Sequence, residues 1–175
     1  MSCFLEDNEG RIRAVLAFKR EQLMYDVKNY CFIEGSLLPA ESAPHVRHTI
    51  QDVGEEGNRD RVARILDLNV AKCREVLYPY TKYEVCTPYL EDRLKAQREY
   101  GIVLDLPKKV SQTTLNLLER LIHEYLVTEC VADWLSITNP EKAVNWKGKA
   151  TNALGEVKVC LHSRIGGVRR RMHPF

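Results

Sequence analysis

Residues 111–140 read SQTTLNLLERLIHEYLVTECVADWLSITNP, and this stretch decides the fold. Leu115, Leu118, Leu121, Ile122, Tyr125, Leu126, Cys130, Val131, Trp134 and Leu135 recur at three- and four-residue spacing and cover more than half of a helix circumference. Only a narrow polar stripe remains, around Gln112, Asn116, Arg120 and His123. A helix that apolar belongs in the centre of a core. Ser111 can cap its start by accepting an orphan backbone N–H. At the far end, Asn139-Pro140 stops this helix and opens another. Asn139 is the N-cap, Pro140 takes the first helical position, where no N–H is needed, and Glu141 complements the dipole. Ala143, Trp146, Ala150, Leu154, Val157 and Leu161 then form a narrower stripe. Gly148 and Gly155 each cost about 1 kcal/mol relative to Ala, so this second helix depends on packing.

Outward from that pair, a third helix is expected from Asn58 as N-cap, with Val62, Ile65, Leu66, Cys73, Val76, Leu77 and Tyr80 on one face. Asn69 is the one polar interruption of that face, and Pro79 ends the helix. Two strands are expected. Tyr100, Ile102, Leu104 and Leu106 alternate over 100–106, and Tyr25, Val27, Cys31 and Ile33 alternate over 25–33, ending at Gly35. An isolated pair of strands is marginal in water, so the ribbon must pack on the helices or on a partner. Residues 36–57 read as a loop with one short helical turn near His45–Asp52, and Leu90–Gln97 as a short polar helix. Residues 1–22 fit two patterns: Ile12, Val15, Leu16 and Lys19 suit a helix face, while Ile12, Ala14, Leu16 and Phe18 suit a strand.

Composition bounds the function. At 175 residues, 45% hydrophobic and 29% charged, the chain fits one domain with an ordinary core. The net charge of +2 favours no particular partner. The start, Met1 to Glu9, is acidic and lacks the cationic and apolar runs of a signal peptide. No apolar run approaches the roughly 20 residues that span a bilayer, so no membrane partner is expected. The six cysteines are scattered without a CxxC pair and read as reduced thiols, most of them in the core of a cytosolic protein.

Candidate chemistry is sparse. His45, His48 and Asp52 are the nearest approach to a metal cluster, but no second ligand pair completes a site, and a solvated polar segment accounts for them. Glu119 and His123, with Glu124 beside them, have acid–base character and equally the look of an exposed pair on the polar stripe. There is no GxSxG, and Gly54-Glu55-Glu56-Gly57 is too acidic to cradle phosphate. Neither an enzyme nor a cofactor is expected.

The chain closes on a basic arm. No acidic residue follows Glu156, whereas Arg164, Arg169, Arg170 and Arg171 are cationic, and Phe175 ends the sequence. Arginine and aromatic residues dominate interface energetics, so Trp146 and this arm read as anchors. The connector's Tyr78, Tyr80, Tyr83 and Tyr89 offer either loop contacts with a partner or anchors on the domain's own core. The same arginines could instead neutralise phosphates, as in a small nucleic-acid-binding or regulatory protein.

The run from Glu124 to Pro140, a hydrophobic helix ending in a Trp-containing segment and a turn, followed by an Ala-containing helix over Glu141–Leu161, resembles the head–tail connector (head-completion or adaptor) proteins of tailed bacteriophages. The resemblance implies a non-enzymatic structural subunit of a homo-oligomeric neck ring in the virion, assembled in the host cytoplasm. Its partners would be portal and tail proteins around the DNA channel, with DNA close to the arginine-rich tail. The expected architecture is mainly α with a small antiparallel β element (α+β), a helical bundle core with extended terminal arms. Its parts are an N-terminal segment 1–22, a domain 23–165 and a basic arm 166–175.

Overall fold

The computed structural model describes residues 3–6, 11–39, 44–81, 98–107 and 110–164. Strands β1 (Cys3–Glu6) and β2 (Arg11–Lys19) lead into helices α1 (Arg20–Ser36) and α2 (Pro44–Gln51), a 3₁₀ turn (Asp52–Gly54), and helices α3 (Glu56–Val76) and α4 (Tyr78–Thr81). Strand β3 (Glu99–Pro107) and helices α5 (Gln112–Thr138) and α6 (Pro140–Arg164) complete the described chain. The fold is mainly α with a small antiparallel sheet of order β1-β2-β3.

The central helix is where its pattern put it. Every residue from Tyr125 to Ala132 is buried, so α5 is wrapped on all sides at mid-length. Its caps are local and direct. The Ser111 hydroxyl accepts from the Thr114 N–H at 3.2 Å, and Asn139 Oδ1 accepts from the Lys142 N–H at 3.4 Å. Helix α6 folds back along α5 and buries Ala143, Trp146, Ala150, Ala153, Val157, Cys160 and Leu161, with Leu154 half-buried.

The strand pairing differs from expectation. Residues 25–33 lie inside α1, so no strand forms there and the ribbon of 25–33 with 100–106 does not exist. The buried side of α1 is Leu23, Met24, Val27, Cys31 and Gly35, which is helical spacing, while Tyr25 is 66% exposed and Ile33 is 44% exposed. The apparent alternation mixed buried and exposed positions, and polar Asn29 breaks it at its centre. Gly35 is a point of close approach rather than a strand end. A Cβ there would lie 2.8 Å from Gln51 Cγ and 3.2 Å from the Arg47 carbonyl oxygen, so its absence lets α2 sit against α1.

The partner of β3 is β2, in a register that sets Ala14 opposite Leu104, Leu16 opposite Ile102 and Phe18 opposite Tyr100. All six are buried and face the helices. Of the two patterns open for residues 1–22, the strand is the one realised. Residues 11–19 therefore form the middle strand of the sheet and part of the core rather than a separate segment.

Two smaller expectations also change. Helix α3 starts at Glu56 after the extended Glu55, and Asn58 is not its cap; the Asn58 amide instead donates to the Asp52 carbonyl at 2.9 Å. Residues 44–51 make a full helix, held by Ile50 and Val53 in the core and by Trp134 Nε1 donating to the Ile50 carbonyl at 2.9 Å. Of the extended terminal arms of the expected architecture, residues 3–6 and 11–19 are strands of the sheet, and the segment 166–175 lies outside the described residues, as does Leu90–Gln97.

Candidate docking surface

The sequence-predicted anchors do not gather at one place. Trp146 is only 5% exposed and holds α6 to α1. Its indole Nε1 donates to Glu34 Oε1 at 3.0 Å, and its ring packs against Tyr30 with centroids 4.9 Å apart. The Lys149 ammonium sits 4.0 Å above the ring centroid, and Lys142 pairs with Glu34 from the same helix. Burial pushes the Glu34 carboxyl up, but the hydrogen bonds from Lys142 and Trp146 and the charges of Lys142 and Lys149 outweigh it, so the group is held below its ordinary value. Tyr78 is 59% exposed on α4, and Tyr80 is half-buried against the core. Tyr83, Tyr89, Arg169, Arg170, Arg171 and Phe175 lie outside the described residues, and Arg164 is the last residue of α6.

The candidate acid–base residue His123 reaches across to another helix. His123 Nε2 meets Asp26 Oδ2 of α1 at 2.8 Å, and Gln22 donates to the same carboxylate at 3.1 Å. This is a bridge between α5 and α1. Among the described residues, no group of three or more His, Cys, Asp and Glu side chains is placed to hold a metal ion. Cys31, Cys73 and Cys130 are buried free thiols, and Cys160 is buried with its Sγ 3.7 Å from the Thr114 carbonyl oxygen. Burial pushes Cys31 and Cys73 up to about 12, which leaves them protonated and poorly nucleophilic.

One feature that sequence reasoning missed is a groove of about 750 Å³ between α3 and α6, floored by α5. Helix α3 contributes Ile65, Leu68, Asn69 and Lys72, and α5 contributes Glu129, Ala132, Asp133 and Ser136. Helix α6 contributes Pro140, Val144, Lys147, Gly148 and Thr151. Each set follows the spacing of a single helix face, so three helical stripes bound one trough. The rim carries exposed apolar side chains, with Leu68 at 56% and Val144 at 71% exposure.

The floor is polar and interlocked. Glu129, 7% exposed, pairs with Lys147 of α6 and lies 3.7 Å from the Lys72 ammonium of α3. Lys72 also donates to Asn69 Oδ1 at 3.2 Å, and the Tyr125 hydroxyl donates to the same oxygen at 3.4 Å. Thus the one polar residue in the apolar stripe of α3 has a reason. Asn69 is 1% exposed and links α3 to α5 beneath the groove. Burial, then the nearby Glu129 carboxylate, pushes the Tyr125 phenol up, so it stays a neutral donor. Asp133 is matched by Arg61, which donates from Nε at 3.1 Å and Nη2 at 2.8 Å.

An open apolar trough with its charges engaged in pairs is suited to recognition. Ile65 and Asn69 belong to the stripe legible in the sequence, whereas Leu68 and Lys72 do not, and their convergence with α5 and α6 is a tertiary fact. No protein-family model matches this chain, and no curated protein or solved structure matches it either.

Proposed function

We propose that the chain is a non-enzymatic assembly protein, a structural subunit of a tailed-bacteriophage head–tail connector. It docks on portal and tail proteins, acts as a homo-oligomer around the DNA channel, and belongs to the virion. The observation that carries this reading is the groove between α3 and α6. Among the described residues, a rigid core leaves an apolar, solvent-open face with Leu68 and Val144 exposed on its rim. The α5–α6 hairpin supplies the rigidity, because its packed centre sets the positions of both groove walls. Among the described residues, no helix is long and apolar enough to cross a membrane.

An affinity pull-down of the full-length protein from phage-producing cells, with and without nuclease, tests the assignment. Portal and tail proteins retained after nuclease treatment are the expected result. Recovery of nucleic acid alone, lost on nuclease treatment, overturns it in favour of a nucleic-acid-binding protein acting through Arg169–Arg171. Deleting Gly167–Phe175 should leave the folded domain intact and lower incorporation into particles. An unchanged assembly yield contradicts a role for the arm.

A further inference from the structure

We infer that the groove between α3 and α6 takes an amphipathic helix from a partner protein, seated with an acidic side chain between Lys72 and Lys147. The inference rests on the reading of this face as a docking surface and specifies its occupant.

Three observations define that occupant. The first is shape. On α6 the lining runs from Pro140 to Asn152, which at 1.5 Å per residue is about 18 Å, or three turns of an incoming helix. Three helices already flank the trough and it is open along its length, so a fourth helix completes a bundle there. The second is the rim, where Leu68 and Val144 offer exposed apolar walls on opposite sides.

The third observation is charge, and it selects the partner's chemistry. The charged lining residues are Lys72, Lys147, Glu129 and Asp133, and Asp133 is neutralised by Arg61. One carboxylate therefore remains for two ammonium groups. Exposure sharpens the imbalance: the Lys147 side chain is 60% exposed and that of Lys72 is 44%, against 9% for Glu129. What reaches a visitor is cationic, set in apolar walls. A helix with an apolar face and one central Glu or Asp satisfies both features. The chain's own Arg169–Arg171 arm carries the wrong sign for this seat.

The test uses the full-length protein and a displayed library of 14-residue helical peptides. The best binder is then synthesised with its central residue as Glu, Gln or Lys and titrated by fluorescence anisotropy. The expected result is enrichment of acidic residues at the centre and a loss of about tenfold or more on Glu→Lys. Val144→Glu in the protein should weaken binding to a similar degree, because it blocks the apolar rim and offers the lysines a competing carboxylate. Lys72→Gln should shrink the Glu/Lys preference while Lys147 still pairs Glu129. Selected helices with neutral or basic centres, or equal binding to Val144→Glu, overturn the inference. So does concentration-dependent self-association that Val144→Glu abolishes, since a second copy then fills the groove. Retention of portal and tail proteins by Val144→Glu overturns the groove as their seat and leaves the assembly reading standing. Acid-centred peptide binding without portal or tail proteins in the pull-down supports the inference and sinks the connector assignment.

Discussion

The two flanks of α6 are finished differently. Towards α1, the helix is closed: Trp146 is buried against Tyr30, and Glu34 accepts from both Trp146 and Lys142. Towards α3, the same helix presents Val144, Gly148 and Thr151 to an open trough. The closed flank has a large aromatic side chain and a satisfied charge cluster, which together fill the space between helices. On the open flank small residues and an exposed valine leave that space empty. The difference teaches that the missing contacts belong to one side of one helix, and that the fold is stabilised from the other.

Mutations on the two flanks should therefore separate stability from binding. The largest loss of stability is expected from Trp146→Ala, about 3–5 kcal/mol by urea denaturation, because it empties the closed flank and removes one of the two donors to Glu34. A midpoint within error of the wild type breaks the comparison. Next comes Glu34. Its folded-state pKa is depressed, so its stabilising contribution is complete above the ordinary glutamate value of about 4.3 and is lost as pH falls through the lower folded value. Glu34→Gln should destabilise the protein by about 1–3 kcal/mol at neutral pH and flatten the acid limb of the stability curve. An acid limb of unchanged steepness speaks against the cluster.

Smaller effects sharpen the contrast. Nothing lies within 4 Å of a Cβ built at Gly148 or Gly155, so Ala at either site should stabilise α6 by about 0.5–1 kcal/mol. Only Gly148 lines the groove, hence Gly148→Ala should gain stability while weakening helix docking, and Gly155→Ala should gain stability alone. Thermal denaturation and anisotropy on the same samples check both. The least effect on folding is expected from Val144→Glu, within about 0.5 kcal/mol, since that side chain is 71% exposed.

What the sequence made legible was local. The caps Ser111 and Asn139, the encircling apolar positions of α5 and the alternation of Tyr100, Ile102, Leu104 and Leu106 each act within a few residues, and each reappears in the structure. Helix α1 hides its nature in the sequence because its exposed Tyr25, Phe32 and Ile33 blur the helical stripe and leave almost no amphipathic signal. The pairing of β2 with β3 joins residues far apart in sequence, and period alone cannot choose between partners. Trp146 was legible as an anchor but not as one directed inward, since its partner Glu34 comes from α1, far away in sequence. The groove was out of reach for the same physical reason: Lys72, Glu129 and Lys147 meet only after three helices have packed.

Site-specific photo-crosslinking tests the central claim most directly. A photoreactive amino acid at Val144, on the open flank, is compared with one at Leu37, an exposed residue that follows the last turn of α1. In assembled particles the account predicts crosslinks from position 144 to a helix of a portal or tail protein, and none from position 37. Normal assembly with no crosslink at position 144 would contradict it.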